Sequence, residues 1–329
     1  MRVIVYGAGA VGGTIGASLH RAGHEVALIA RGAHLDAIRE RGLRLRAATL
    51  DEIVRVPAYG SPTEIAFRDD DIVLLTVKTQ DAVAALDDLR AAAGSSIAVV
   101  CAQNGVENER LAARRFERVY AMLVQLPASH LQPGEVISEG GPEPGVLDVG
   151  RYPDGLDDTI EALATMLRGS GFVADLNPRI MRLKYAKLLH NLGNATALIT
   201  GARGGRDLMN AIRREAEAAY LAAGVDSASV DEYNARVDLC QVVNVPGLVR
   251  PGNSTVQSIL RGRTSVETDY LNGEIARLSA EHGVPTPVNR TVQDLAAEVA
   301  TGRRAPGSMT DDAILALAEQ RDARAPRSA

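Results

Sequence analysis

The chain has 329 residues, 46% of them hydrophobic and 23% charged, and a formal net charge of -5. That length exceeds what one core usually supports, so two domains are expected, and the mild acidity argues against nucleic acid or an anionic membrane as principal partner. Two distant cysteines, Cys101 and Cys240, suggest neither a disulfide framework nor a metal site and fit a reducing, cytoplasmic setting. No apolar stretch reaches the length of a membrane span. The glycine spacing near the N-terminus, with no basic region beyond Arg2, argues against a signal peptide.

An apolar run over 3–6 feeds into Gly7-Ala8-Gly9-Ala10-Val11-Gly12; a helical stretch follows, and a second apolar run over 26–30 stops at Arg31. This is the pattern of the first βαβ unit of a dinucleotide-binding fold. Gly7 permits the tight turn, Gly9 lets backbone approach a pyrophosphate, and Gly12 allows the helix to pack closely on the strand. The pyrophosphate would rest on the N–H groups that open the helix. An NAD enzyme usually has Asp or Glu about 20 residues on, to bond the ribose 2′-hydroxyl. Here Arg31 holds that point, and a guanidinium suits a 2′-phosphate, so the expected cofactor is NADP(H). The alternative for Arg31 is an exposed cation at a strand end.

A helix is expected over 34–41, stopped by Gly42, and a small hairpin over 43–58. Residues 71–77 and 97–102 are near-continuous apolar runs, the mark of buried parallel strands. They end at Lys78 and at Gln103-Asn104-Gly105, where an open α/β sheet binds its ligands. Further strands are expected over 119–126, 146–150 and 172–175, with an amphipathic helix over 157–169. From Asn177 helical periodicity takes over with no convincing strand, giving helices at 178–200, 205–223, 227–243, 252–261, 265–282 and 286–300. The expected organisation is therefore a Rossmann domain over 1–176, a helical domain over 177–301, and a loose tail over 302–329 with a short helix at 311–320.

In the helical half, Lys187, Asn191 and Asn194 recur at i, i+4 and i+7 and would share one stripe beside apolar neighbours. Such a lysine is either held in a cleft or snorkels from a solvated edge. Glu267 has a plainer reading, since Thr264-x-x-Glu267 is a capping-box pattern. Asn253-Ser254-Thr255 likewise reads as an N-cap.

Taken together, these pieces resemble the ketopantoate reductase (2-dehydropantoate 2-reductase) family over nearly the whole chain. The resemblance rests on the glycine motif, Leu28-Ile29-Ala30-Arg31, Leu75-Thr76-Val77-Lys78, Gln103-Asn104-Gly105, Lys187-Leu188-x-x-Asn191, Asn253-Ser254-x-x-Gln257 and Glu267-x-Asp269-Tyr270-x-Asn272-Gly273. It implies a Rossmann domain followed by a helical domain like that of 6-phosphogluconate dehydrogenase. It also implies NADPH-dependent reduction of 2-dehydropantoate to pantoate, in pantothenate biosynthesis. By the resemblance Lys187 corresponds to the catalytic lysine and Glu267 to the substrate-binding glutamate. By the same resemblance Asn104 would touch cofactor and substrate, Asn191 and Ser254 would contact substrate, and Lys78 would lie on the cofactor side; Asn194, one residue before the position of the family's second asparagine, is a further candidate substrate contact. Family members occur as monomers or homodimers.

The chain departs from the family at Ala195, where a second asparagine often stands eight residues beyond the lysine, and at Ser258, where some members carry Asp. These departures bear on which 2-keto acid is reduced. Two alternatives follow: a paralogous reductase of another branched or hydroxylated 2-keto acid, and a non-catalytic NADPH-binding regulator.

Overall fold

Apolar runs that do not alternate become strands covered on both faces. The computed structural model describes residues 1–324 apart from 250, 251, 261 and 263, and the side chains of Ser254, Leu260 and Arg324 also lie outside the described set. Seven strands form one sheet in the spatial order Val149–Arg151, Arg118–Met122, Ala98–Cys101, Ile72–Leu75, Val3–Tyr6, Val26–Ile29, Ala58–Tyr59. All neighbours are parallel except the edge strand Val149–Arg151, which runs antiparallel to Arg118–Met122. Successive side chains of a strand serve opposite faces: Val3, Val5, Leu28 and Leu74 enter one core, and Ile4, Ile29, Val73 and Leu75 the other. From Val3–Tyr6 the strand order grows first one way and then the other, so the topological switch point lies at the first strand.

A second, four-stranded sheet has the order Leu50–Val54, Leu43–Ala47, Glu135–Ser138, Ala128–Ser129. The hairpin expected over 43–58 forms its first half, with Leu43 opposite Val54. Its Glu135–Ser138 strand packs on the helix Ala10–Arg21, where a Cβ on Gly13 would press on Val136. The helix Asp158–Gly169 is capped by Asp157, whose carboxylate accepts from the Thr159 and Ile160 N–H groups.

The chain forms two compact units, Met1–Lys184 with Ala228–Arg250, and Tyr185–Ser227 with Pro251–Ala329. The division therefore differs from a single boundary near 176, because the chain contributes to the first unit twice. The reason is local. Where one helix was expected over 227–243, the structure has the helix Val230–Val237 and then a strand, Cys240–Val242, which pairs antiparallel with Gly140–Pro142. Gly140 permits that approach, since a Cβ there would press on the Cys240 Sγ. Residues 172–175 form no strand of their own but single parallel bridges, Val146 to Val173 and Val149 to Leu176.

The second unit is helical: Thr196–Thr200, Arg206–Ala222, Ser254–Leu260, Asn272–His282, Pro287–Ala300 and Asp311–Arg324, with Ile180–Asn191 spanning the division. The short helix expected at 311–320 runs over Asp311–Arg324, and residues 325–329 of the expected tail lie outside the described set. Ile314 and Ala318, four residues apart, are both buried, and Arg321 pairs with Asp294 at 2.6 Å. Among the described residues no helix is long and apolar enough to cross a membrane.

Candidate active site

The glycine turn is built as its spacing requires. Gly7 has φ +113°, a conformation side chains rarely adopt, and its N–H donates to the Ile29 carbonyl at 3.0 Å. A Cβ on Gly12 would overlap the Gly7 carbonyl oxygen and Thr76 Oγ1. A Cβ on Gly9 would meet nothing within 4 Å, so open space lies against the turn. The first helical bond runs from the Gly13 N–H to the Gly9 carbonyl at 2.7 Å, which places the N–H groups of Ala10, Val11 and Gly12 ahead of it. No acidic residue occupies the first turn. Open space, a helix N-terminus and no competing anion fit a dinucleotide pyrophosphate.

His34 braces this turn. Its Nδ1 accepts from the Gly134 N–H at 2.9 Å, so the proton sits on Nε2, which donates to the Ala8 carbonyl at 2.7 Å. Burial, and the His130 ring at 4.1 Å, hold the imidazole down at a pKa of about 4, so it is neutral near pH 7.

Arg31 ends the second strand segment and is largely exposed, with one guanidinium nitrogen 3.1 Å from Asp81. An exposed pair of this kind is worth little, so the guanidinium is readily given up to another anion. Lys78 is half-buried and occupies the N-cap position of the helix Thr79–Ala93, after the strand Ile72–Leu75. Asn104, half-buried, follows the strand Ala98–Cys101. One turn beside it went unseen in the sequence. Lys184, 3% exposed, lies 2.5 Å from the fully buried Glu109 and donates to the Gln103 carbonyl at 3.0 Å. Burial raises the Glu109 pKa, against the pull of the Lys184 charge. A lysine three residues before Lys187 carried no local signal, because its partners come from about 80 residues away.

In the helical unit, Lys187 is 8% exposed and Asn191 is buried with its Nδ2 lacking a protein partner. The α-helix ends at Asn191, and Leu192–Asn194 is a 3₁₀ turn. The stripe argument therefore holds from Lys187 to Asn191 and not on to Asn194, whose half-buried position follows a different helical period. Asn253 is the N-cap that the sequence suggested. Its Oδ1 accepts from the Thr255 and Val256 N–H groups, while its Nδ2 donates to the Asn194 carbonyl at 2.9 Å. That bond links the helix carrying Ser254 to the break after Asn191.

Glu267 overturns its plainer reading. It is itself the first residue of a 3₁₀ turn, Glu267–Tyr270, preceded by Val266 with no side-chain cap, and it is 9% exposed. Thr264 therefore forms no capping box. The helix that follows the turn opens with Asn272, whose Nδ2 donates to the Leu192 carbonyl at 3.2 Å and to Asn289 Oδ1 at 3.0 Å. Asn289 in turn donates to the Ile212 carbonyl and to Glu215. The network joins the Glu267 segment to the break beyond Lys187. Among the described residues no group of three or more His, Cys, Asp or Glu is placed to hold a metal ion.

A parallel sheet with a glycine turn and a helix N-terminus at its switch point, joined in sequence to a helical unit, is the architecture of a dinucleotide-binding protein. Residues 3–154 match the family described as Ketopantoate reductase PanE/ApbA, and residues 179–300 match its C-terminal part, Ketopantoate reductase PanE/ApbA C terminal. The chain belongs to the ketopantoate reductase family.

It is similar to the 2-dehydropantoate 2-reductase of Archaeoglobus fulgidus, at 29% identity over 305 residues, covering 92% of this chain and 98% of that one. Among solved structures it is similar to a PanE/ApbA family ketopantoate reductase from Ralstonia eutropha JMP134, at 31% identity and a TM-score of 0.77, covering 92% and 99% of the two chains. It is also similar to a D-mandelate dehydrogenase whose ternary structure holds NADH and anilino(oxo)acetate, at 25% identity and a TM-score of 0.77, with the same coverage.

Proposed function

We propose that this protein reduces a 2-keto acid to its 2-hydroxy acid with NADPH, the substrate being 2-dehydropantoate and the product pantoate. The observation that carries the reading is the burial of Lys187 and Glu267 in the helical unit of a ketopantoate reductase family member. A pure dinucleotide binder needs neither charge. Arg31 supports the choice of NADPH, since its largely exposed guanidinium, 3.1 Å from Asp81, can be given up to a 2′-phosphate. The two buried free cysteines accord with a reducing, cytoplasmic setting.

A bound nicotinamide cofactor supplies the hydride. The chain's own residues would do the rest. Ala10, Val11 and Gly12 hold the pyrophosphate through backbone N–H groups, Arg31 the 2′-phosphate, and Lys78 and Asn104 lie on the cofactor side. Lys187 is assigned to the keto oxygen, where its ammonium stabilises the developing negative charge and donates the proton that completes the new hydroxyl. Glu267 is assigned to the substrate's own hydroxyl, which favours a hydroxylated keto acid over a plain one. Asn191 has a buried donor to offer, and Asn194 and Ser254 complete the proposed substrate contacts.

A second reading, a paralogous reductase of another 2-keto acid, draws on Ala195 and on the buried Ser258, and on the likeness to a D-mandelate dehydrogenase. The test is NADPH oxidation followed by absorbance with 2-dehydropantoate, with NADH in parallel. Turnover with a strong NADPH preference supports the first reading. Turnover only with other 2-keto acids supports the second, and cofactor binding without turnover on any of them overturns both.

A further inference from the structure

We propose that Gln103 reads the carboxamide of the nicotinamide ring; this rests on the nicotinamide-dependent reading above. Gln103 is 6% exposed, and neither its Oε1 nor its Nε2 has a partner within the protein. Buried side-chain amides are almost always bonded, because an unmet donor or acceptor forfeits its hydration without return. An amide left with both ends unmet is therefore suited to a ligand.

Its place says which ligand. A dinucleotide bound outside the carboxyl ends of the strands has its pyrophosphate at the switch point and one nucleoside to either side. Arg31 follows the strand Val26–Ile29 on one side of Val3–Tyr6, where the 2′-phosphate end belongs. Gln103 follows Ala98–Cys101 on the other side, beyond Ile72–Leu75, where the nicotinamide belongs.

The turn that carries Gln103 is held with unusual care. Lys184 Nζ, itself buried and paired with Glu109, donates to the Gln103 carbonyl at 3.0 Å. Asn108 in the next helix donates to Thr79 Oγ1 at 3.0 Å, tying this turn to the one that follows Ile72–Leu75. Burying an ion pair costs desolvation of both charges, and here it fixes the backbone beside one unpaired amide.

The chemistry separates the two molecules the reaction would bring. A substrate carboxylate offers only acceptors and would leave Gln103 Oε1 unmet. A primary carboxamide offers a carbonyl and an NH2 group in one plane, and so meets both ends of Gln103 in a reciprocal amide pair.

The test uses the full chain and the near-isosteric variant Gln103→Met, with dissociation constants measured for NADPH and for 2′-phospho-ADP-ribose, which lacks only the nicotinamide. Melting of the ligand-free proteins is followed alongside. The proposal expects the variant to melt as high as the parent or higher, since an unmet amide is removed. It expects 2′-phospho-ADP-ribose affinity to stay within about twofold while NADPH affinity falls about tenfold, the scale of one or two buried hydrogen bonds. Gln103→Leu carries the same expectation should the methionine variant fold poorly. Equal affinities for NADPH in parent and variant, equal losses for both ligands, or a change confined to the KM of the keto acid would each overturn it. A parent protein that binds neither NADPH nor NADH overturns the cofactor reading instead, so the two failures are distinguishable.

Discussion

The two units of this protein build their functional surfaces from different materials. In the first, the cofactor side is mostly backbone: a glycine at positive φ, a helix start without a competing acid, and strand ends whose next residues stand ready. In the second, the proposed chemistry depends on side chains. Lys187 and Asn191 lie at the end of a helix and Glu267 on a 3₁₀ turn, and Asn253, Asn272 and Asn289 tie together the segments that follow them. Backbone surfaces tolerate little change in shape, whereas side-chain surfaces tolerate little change in chemistry. The units should therefore fail in different ways when altered.

The largest effect is expected at Lys187. Lys187→Ala should lower kcat about 10²- to 10⁴-fold, the scale of a positioned acid, with cofactor affinity unchanged by titration. Retained turnover would remove the assigned role. Gly12→Ala should do the reverse. The methyl overlaps Gly7 and Thr76, so unfolding should cost about 1–3 kcal/mol less, seen as a lower midpoint in denaturant, with cofactor affinity reduced as well. A variant of parental stability would mean that the turn can yield.

Arg31→Ala separates charge from shape within the first unit. It should weaken NADPH about 10- to 100-fold, on the scale of hydrogen bonds to a charged group, and leave NADH nearly unmoved; equal losses would rule out a 2′-phosphate contact. The smallest effect concerns His34. Burial holds its folded-state pKa at about 4, below the ordinary 6.5, so the unfolded chain binds the proton more readily. The stability that neutral His34 contributes is therefore complete above about pH 6.5 and is lost as pH falls toward about 4. The melting temperature should drop over that window by more in the parent than in His34→Gln. Parallel profiles would show that the bond to Ala8 carries no pH dependence.

How much of this was legible varies by element. The strands Val3–Tyr6, Ile72–Leu75 and Ala98–Cys101 and the helix Pro287–Ala300 lie within the ranges their periodicity implied, because each is long or apolar enough for local pattern to dominate. The stretch 227–243 misled, because Cys240–Val242 forms a strand only through Gly140–Pro142, about 100 residues away. The short helix expected at 311–320 is present, but its composition hid that Ile314 and Ala318 are both buried. Glu267 misled because Thr-x-x-Glu is a capping pattern wherever a helix starts at the threonine, and here the turn begins at the glutamate.

The sequence by itself determined the phosphate turn, the cation at the end of the second strand, and the order of motifs that marks the family. Each is fixed by spacing along a few residues, and the physics that uses it is equally local. Only the tertiary structure decided that His34 braces Ala8, that Lys184 pairs with Glu109, and that Gln103 is buried with its side-chain amide unmet within the protein. Burial and partnership depend on segments brought together from distant parts of the chain, and no window on the sequence contains both ends of such a contact.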